Sequence, residues 1–199
     1  MKKLLFTALL AVSVGAYAQI SLPAASPRQK VEQQFSTSKI TVDYGRPGVK
    51  GRKVFGQLVP YGQVWRAGAN SATKITFEQP VNFGGKTVGA GTYGLFVVPT
   101  EKEWKVILNK DAQQWGAYQY DEKLNVLDIT VPVQKLAEKQ EWFGIELNPV
   151  DDIAMDMVIK WDMAKVTIPI KVSNVDLTAK VVEKLKEIRQ LERDAAAKK

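Results

Sequence analysis

Ile153 to Val172 reads I-A-M-D-M-V-I-K-W-D-M-A-K-V-T-I-P-I-K-V. Ile153, Met155, Met157, Ile159 and Trp161 fall on one side of a period of two, against Asp156 and Lys160 on the other. Val166, Ile168, Ile170 and Val172 repeat the pattern against Lys165, Thr167 and Lys171. Successive side chains of a strand point to opposite faces, so each run has one apolar and one polar face. Asp162-Met163-Ala164 between them reads as a short turn, and the two runs are expected to form an antiparallel hairpin. Met155 and Met157 are read as core, not as a ligand stripe.

The same period appears upstream. Ile40, Val42 and Tyr44 alternate with Thr41 and Asp43, Ile75 and Phe77 continue it, and Phe143, Ile145 and Leu147 alternate with Trp142, Gly144 and Glu146. Gly84-Gly85 marks a tight hairpin, and Pro99 ends the apolar run that begins at Gly91. Trp104 to Asn109 and Val126 to Val133 read as further strands. Many short strands with no helical crossover predict a mainly β fold, an antiparallel β-sandwich with long loops. After Val172 the period changes. Leu177, Val181, Leu185, Ile188 and Leu191 lie at helical spacing among charged residues. This predicts one C-terminal amphipathic helix, capped by Asn174 or Asp176 and folded back on its own domain.

The first residues have another character. Lys2 and Lys3, the apolar run Leu4 to Val14 and the small-x-small site Ala16-Tyr17-Ala18 read as a signal peptide over residues 1–18. The run is too short to span ~30 Å of hydrocarbon. The expected organisation is a signal peptide (1–18), an extended leader (19–29), a β-sandwich domain (30–173) and the helix (174–199). The expected location is exported, periplasmic or extracellular, with no transmembrane span after cleavage.

The chain contains neither His nor Cys. That excludes a Ser-His-Asp triad, a thiol nucleophile, disulfides, a lipid-modified cysteine and any His- or Cys-ligated metal. No cofactor or metal is expected, and no D-x-D-x-D-G calcium spacing is present. The net charge of +7 falls to +5 without Lys2 and Lys3. Acids are interspersed among the basic residues, so no nucleic-acid partner is expected.

One stretch resists assignment to strand or helix. Asp43 to Asn70 mixes glycine, proline, basic residues and a Trp, as a long shaped loop beside a binding surface does. Arg46, Arg52 and Arg66 offer planar forks for carboxylate, sulfate or phosphate oxygens, or pin loops by pairing with Asp43, Asp121 or Asp128. Trp65, Trp115, Tyr118 and Tyr120 read either as exposed platforms for sugars or peptides or as a small core beneath the loops. Asn70, Asn109, Gln113 and Gln114 are candidate hydrogen-bonding groups, or ordinary turn formers. The loops 46–70 and 109–121 are expected to converge at one end of the sandwich, with Arg66 and Asp121 paired between walls of Trp65 and Trp115.

Several blocks also carry a resemblance. They are S-P-R at residues 26–28, R-P-G-V-K-G-R-K-V-F-G at 46–56 and V-P-Y-G-Q-V-W-R-A-G-A-N at 59–70. G-T-Y-G-L-F-V-V-P at 91–99 and N-K-D-A-Q-Q-W-G-A-Y-Q-Y-D at 109–121 follow. Over Ser26 to Val172 the chain resembles the bacterial secreted family catalogued as domain of unknown function 2911. The resemblance implies a periplasmic or extracellular β-sandwich and no established activity. Asn125 and Asp128 depart from the pattern, which tends to an acid and a basic residue there.

Three functions stand open at this stage. The first is a non-catalytic ligand-binding module for a glycan, peptide or cell-envelope component. The second is a carboxylate-dependent glycan hydrolase drawing on Asp43, Asp121, Glu122, Asp128, Asp151, Asp152 or Asp156. The third is a structural envelope protein that binds a partner through its helix. The sequence decides neither whether the chain is an enzyme nor its oligomeric state.

Overall fold

The structure is a computed structural model that describes residues 22–197. The expected signal peptide and the first leader residues lie outside the described residues. Among the described residues, ten strands form two antiparallel sheets. The larger contains β1 (Arg28–Phe35), β2 (Ser38–Gly45), β3 (Thr73–Phe77), β6 (Gly91–Pro99), β7 (Glu103–Asn109) and β8 (Asn125–Pro132), in that spatial order. The smaller has the order β5 (Lys86–Val88), β4 (Val81–Phe83), β10 (Ala154–Val172) and β9 (Gln134–Pro149). The mainly β, sandwich-like expectation holds, and the helix α1 follows at Val175–Ala197. The first strand already begins at Arg28, so the end of the expected leader belongs to the sheet.

The apolar faces meet between the sheets. Ile40, Val42, Ile75, Leu95, Val106 and Leu108 from one side enclose with Phe143, Ile145, Met157, Ile159 and Ile168 from the other. Met155 and Met157 are buried, as expected of core. Gly84 and Gly85 form the β4–β5 turn with φ of 57° and 94°, a conformation that favours glycine at both positions.

The expected hairpin at Asp162-Met163-Ala164 is absent. Ala154 to Val172 is one strand. β10 stays paired with β9 from Met155↔Pro149 to Lys165↔Gln134, with register shifts between Lys160 and Asp162 and between Asp162 and Ala164. Asp162 takes a φ of 54°. A polar residue tolerant of left-handed backbone suits a bulge as well as a turn. A partner strand long enough to continue the ladder decides between them. That partner is β9, whose first half, Gln134 to Gln140, is mostly exposed and lacks an apolar alternation to announce it.

The helix also differs from expectation. Asn174 caps it, its Oδ1 accepting from the N–H of Leu177 at 3.1 Å. The apolar stripe does not fold back on the sandwich. Leu177, Val181, Leu185, Ile188 and Leu191 are all exposed, Leu191 to 69%. Residues of the adjoining face, Ala179 and Val182, lie beside Asp151 and Asp152, and Lys186 pairs with Asp152. No described helix is long and apolar enough to cross a membrane.

Candidate functional site

Trp65 and Thr73 pair with Val97 and Leu95 of β6. Only Phe96 lies between the two partners on β6, whereas residues 66–72 lie between Trp65 and Thr73. The extra residues are extruded from the sheet as a tight loop. It holds itself closed. Thr73 Oγ1 donates to Ala67 O at 2.6 Å, Trp65 Nε1 donates to Gly68 O at 3.0 Å, and Ala69 N donates to Gly45 O at 3.2 Å. Ala67 has a φ of 49°, a costly conformation for a residue with a Cβ, and Asn70 one of 64°, which Asn tolerates better than most. Gly45 and Gly68 allow the two backbones to touch. A Cβ at Gly68 would lie 2.8 Å from Gly45 O.

The segment before it is tied to the other sheet. Phe143 N donates to Pro47 O at 2.9 Å and Val49 N to Glu141 O at 2.8 Å, so residues 47–49 close part of the β9 edge. The segment 109–121 is anchored separately. Its Ala117 and Tyr120 cover Phe96 and Ile107 on the outer face of the larger sheet. The two segments meet as expected at one end of that sheet. Gly116 N donates to Asn70 O, Ala72 N donates to Gln114 O, both at 3.0 Å, and Ser71 bridges Trp115.

A cavity of about 270 Å³ opens beside the first of them, lined by residues of 47–70 together with Ser26 and Trp161 and by none of 109–121. Arg52, Trp65, Arg66, Asn70, Trp161 and Ser26 are among its lining residues, and no Asp or Glu is. Arg66 makes no ion pair among the described residues, and its Nε is buried without a hydrogen-bond partner. Burial pulls the guanidinium below its ordinary pKa, and the phenol of Tyr118 acts in the opposite sense to a smaller extent. Trp161 is 1% exposed, and its Nε1 likewise has no partner. Burying a donor without an acceptor costs ~1–3 kcal/mol, more when it is charged.

The other candidate residues divide. Trp115 and Tyr118 are exposed, 64% and 87%. Trp65, read as either a surface platform or a small core, is core. It stacks on Trp161 at 5.7 Å and meets Phe143 edge-on at 5.2 Å, because the bridge to Val97 turns its ring between the sheets. Tyr120 is half-buried against Phe96 and bonds Asn125. Arg46 Nε donates to Phe143 O, and Arg52 donates to Gly48 O and Val49 O. Both pin backbone, though not through the expected carboxylates. Asp43 pairs with Arg28 at 2.7 Å and Asp128 lies 3.6 Å from Lys105.

The expected Arg66–Asp121 pair does not form. Asp121 instead accepts from the N–H of Lys123 at 2.9 Å, capping a short 3-10 turn. Asn109, Gln113 and Gln114 are engaged within the loops. Asn109 bonds Asp121 O and Asn125, Gln113 accepts from Lys74, and Gln114 bonds Asp111. Trp161 and Ser26 are cavity residues that the sequence does not single out as site residues. In a period-two apolar run, nothing distinguishes an indole with a partner from one without.

A family model described as protein of unknown function (DUF2911) matches residues 26–170. The chain belongs to that family. The match covers both sheets as far as Ile170 and both site loops, and it ends before the helix. No curated protein and no solved structure matches this DUF2911 chain.

Proposed function

We propose that this DUF2911 protein is a non-catalytic ligand-binding module of the cell envelope, exported to the periplasm or beyond, that takes a glycan, peptide or other envelope component. The observation that carries the reading is Arg66. It stands in a cavity without a counter-charge, on a strained loop held by many hydrogen bonds. A fold that only needed to close this end had less costly residues available. Strain of this kind persists where the surroundings over-determine it, often at binding sites.

The hydrolase reading has less support at this cavity. Glycosidases use two carboxyl groups about 5–10 Å apart, and no acid lines these walls. The test is binding of the mature chain and its Arg66→Met variant to immobilised envelope glycans and peptides. Binding by wild type that the variant loses, at equal folded fraction, supports the reading. Equal binding by both, or hydrolysis of a bound glycan, overturns it.

A further inference from the structure

The chemistry of the lining narrows the ligand. Arg66 presents a fork with its Nε side free, and the ring of Trp161 lines the same cavity with a second donor free. Ser26 and Asn70 add polar groups on the walls, and neither side chain is engaged in a hydrogen bond among the described residues. Free cationic and neutral donors with no acid nearby call for an acceptor that carries negative charge. A guanidinium meets a carboxylate in its own plane through two parallel N–H···O bonds. The neighbouring loop adds a second requirement. Trp115 bridges Ser71, next to the lining residue Asn70, and its ring is 64% exposed. Tyr118, three residues on in the same loop, is 87% exposed. Neither ring lines the cavity itself, but exposed flat aromatics on the loop beside a polar cavity suit the apolar face of a sugar ring.

From these observations we infer that the cavity binds a sugar acid, with its carboxylate on the Arg66 guanidinium and its ring reaching out to Trp115 and Tyr118 on the neighbouring loop. The inference rests on the binding reading above and deepens it. The carboxylate satisfies the buried Nε, and an oxygen entering the cavity supplies the indole of Trp161 with an acceptor. A neutral hexose offers the ring but not the charge. Inorganic phosphate offers the charge but no ring for the aromatics.

The experiment is NMR titration of the full mature chain, following the Arg66 Nε–H and the Trp161 and Trp115 indole N–H signals. The probes are D-glucuronate, D-glucose, inorganic phosphate and triglycine, whose terminal carboxylate represents a peptide. The expected result is a shift of all three signals with glucuronate, at an affinity roughly tenfold or more above glucose, the size of one charge-assisted hydrogen bond. Arg66→Met abolishes that preference, and Trp115→Ala weakens glucuronate several-fold, both with unchanged thermal midpoints within a few degrees. Glucose binding as well as glucuronate, phosphate binding more tightly, or triglycine outcompeting glucuronate each overturns the sugar-acid assignment while leaving a binding module. If no glycan or peptide probe moves any of these signals, both this inference and the reading beneath it fail.

Discussion

The backbone N–H of Gly116 donates to the carbonyl of Asn70 at 3.0 Å, joining two loops whose anchors lie on different faces of the larger sheet. The loop of Asn70 is held from the inner side by Trp65, and that of Gly116 from the outer side by Tyr120 and Phe96. The bond therefore forms where two independently fixed segments arrive, and the conformation of Asn70 matters to it.

Asn70 sits at a φ of 64°, which Asn and Gly tolerate and β-branched residues do not. Asn70→Gly should leave stability within ~0.5 kcal/mol, and Asn70→Val should cost ~1–2 kcal/mol. Urea unfolding of both variants checks the difference. Equal stability of the two would show that the loop relaxes freely.

Removing Arg66 should not weaken the fold. Its charge lacks a described counter-ion and its Nε a partner. Replacing an uncompensated, partly buried cation with an apolar side chain of similar reach removes a desolvation cost. Arg66→Met should be neutral or stabilising by up to ~1 kcal/mol in the absence of ligand. A loss of ~3 kcal/mol would instead assign Arg66 to holding the loops together.

Tyr44 links the sheets. Its hydroxyl accepts from Ile145 N at 2.9 Å and lies 3.3 Å from Ile145 O. Burial raises its pKa above 10, with the Ile145 backbone acting in the opposite sense. Because the folded state holds the proton more tightly than the unfolded chain, this contribution is complete below about pH 10 and fades as pH climbs through the folded value. Tyr44→Phe should cost ~1–3 kcal/mol at neutral pH by leaving Ile145 N–H without that acceptor. The variant should also show a shallower alkaline loss of stability than wild type. Unfolding midpoints from pH 8 to pH 11 would reveal a parallel decline if another group is responsible.

The helix should be dispensable to the sheets. Its apolar stripe is exposed, and its one described ion pair to the sandwich, Lys186 with Asp152, is itself exposed. Deleting residues 175–199 should preserve the β circular-dichroism signature and change stability by less than ~1 kcal/mol. Collapse of the cooperative melt would place the helix in the folding unit.

Much of the sandwich was legible because burial on one face imposes a period of two, and Gly84-Gly85 has few conformations other than a tight turn. Ile40, Val42 and Tyr44, and likewise Phe143, Ile145 and Leu147, could be assigned to an inner face before any partner was known. Local pattern could also place the site loops, whose glycines and aromatics no strand requires. It could not decide Asp162, because a turn and a bulge ask the same of that residue and only the distant strand β9 distinguishes them. Nor could it separate Trp65 from Trp115, two loop indoles, one drawn between the sheets by pairing with Val97 and the other left outside. The free state of Arg66 and of Trp161 Nε1 likewise exists only in three dimensions. Whether a donor has an acceptor depends on residues that meet it from elsewhere in the chain, and here the carboxylates expected to meet Arg66 are spent on Arg28, Lys105 and the N–H of Lys123.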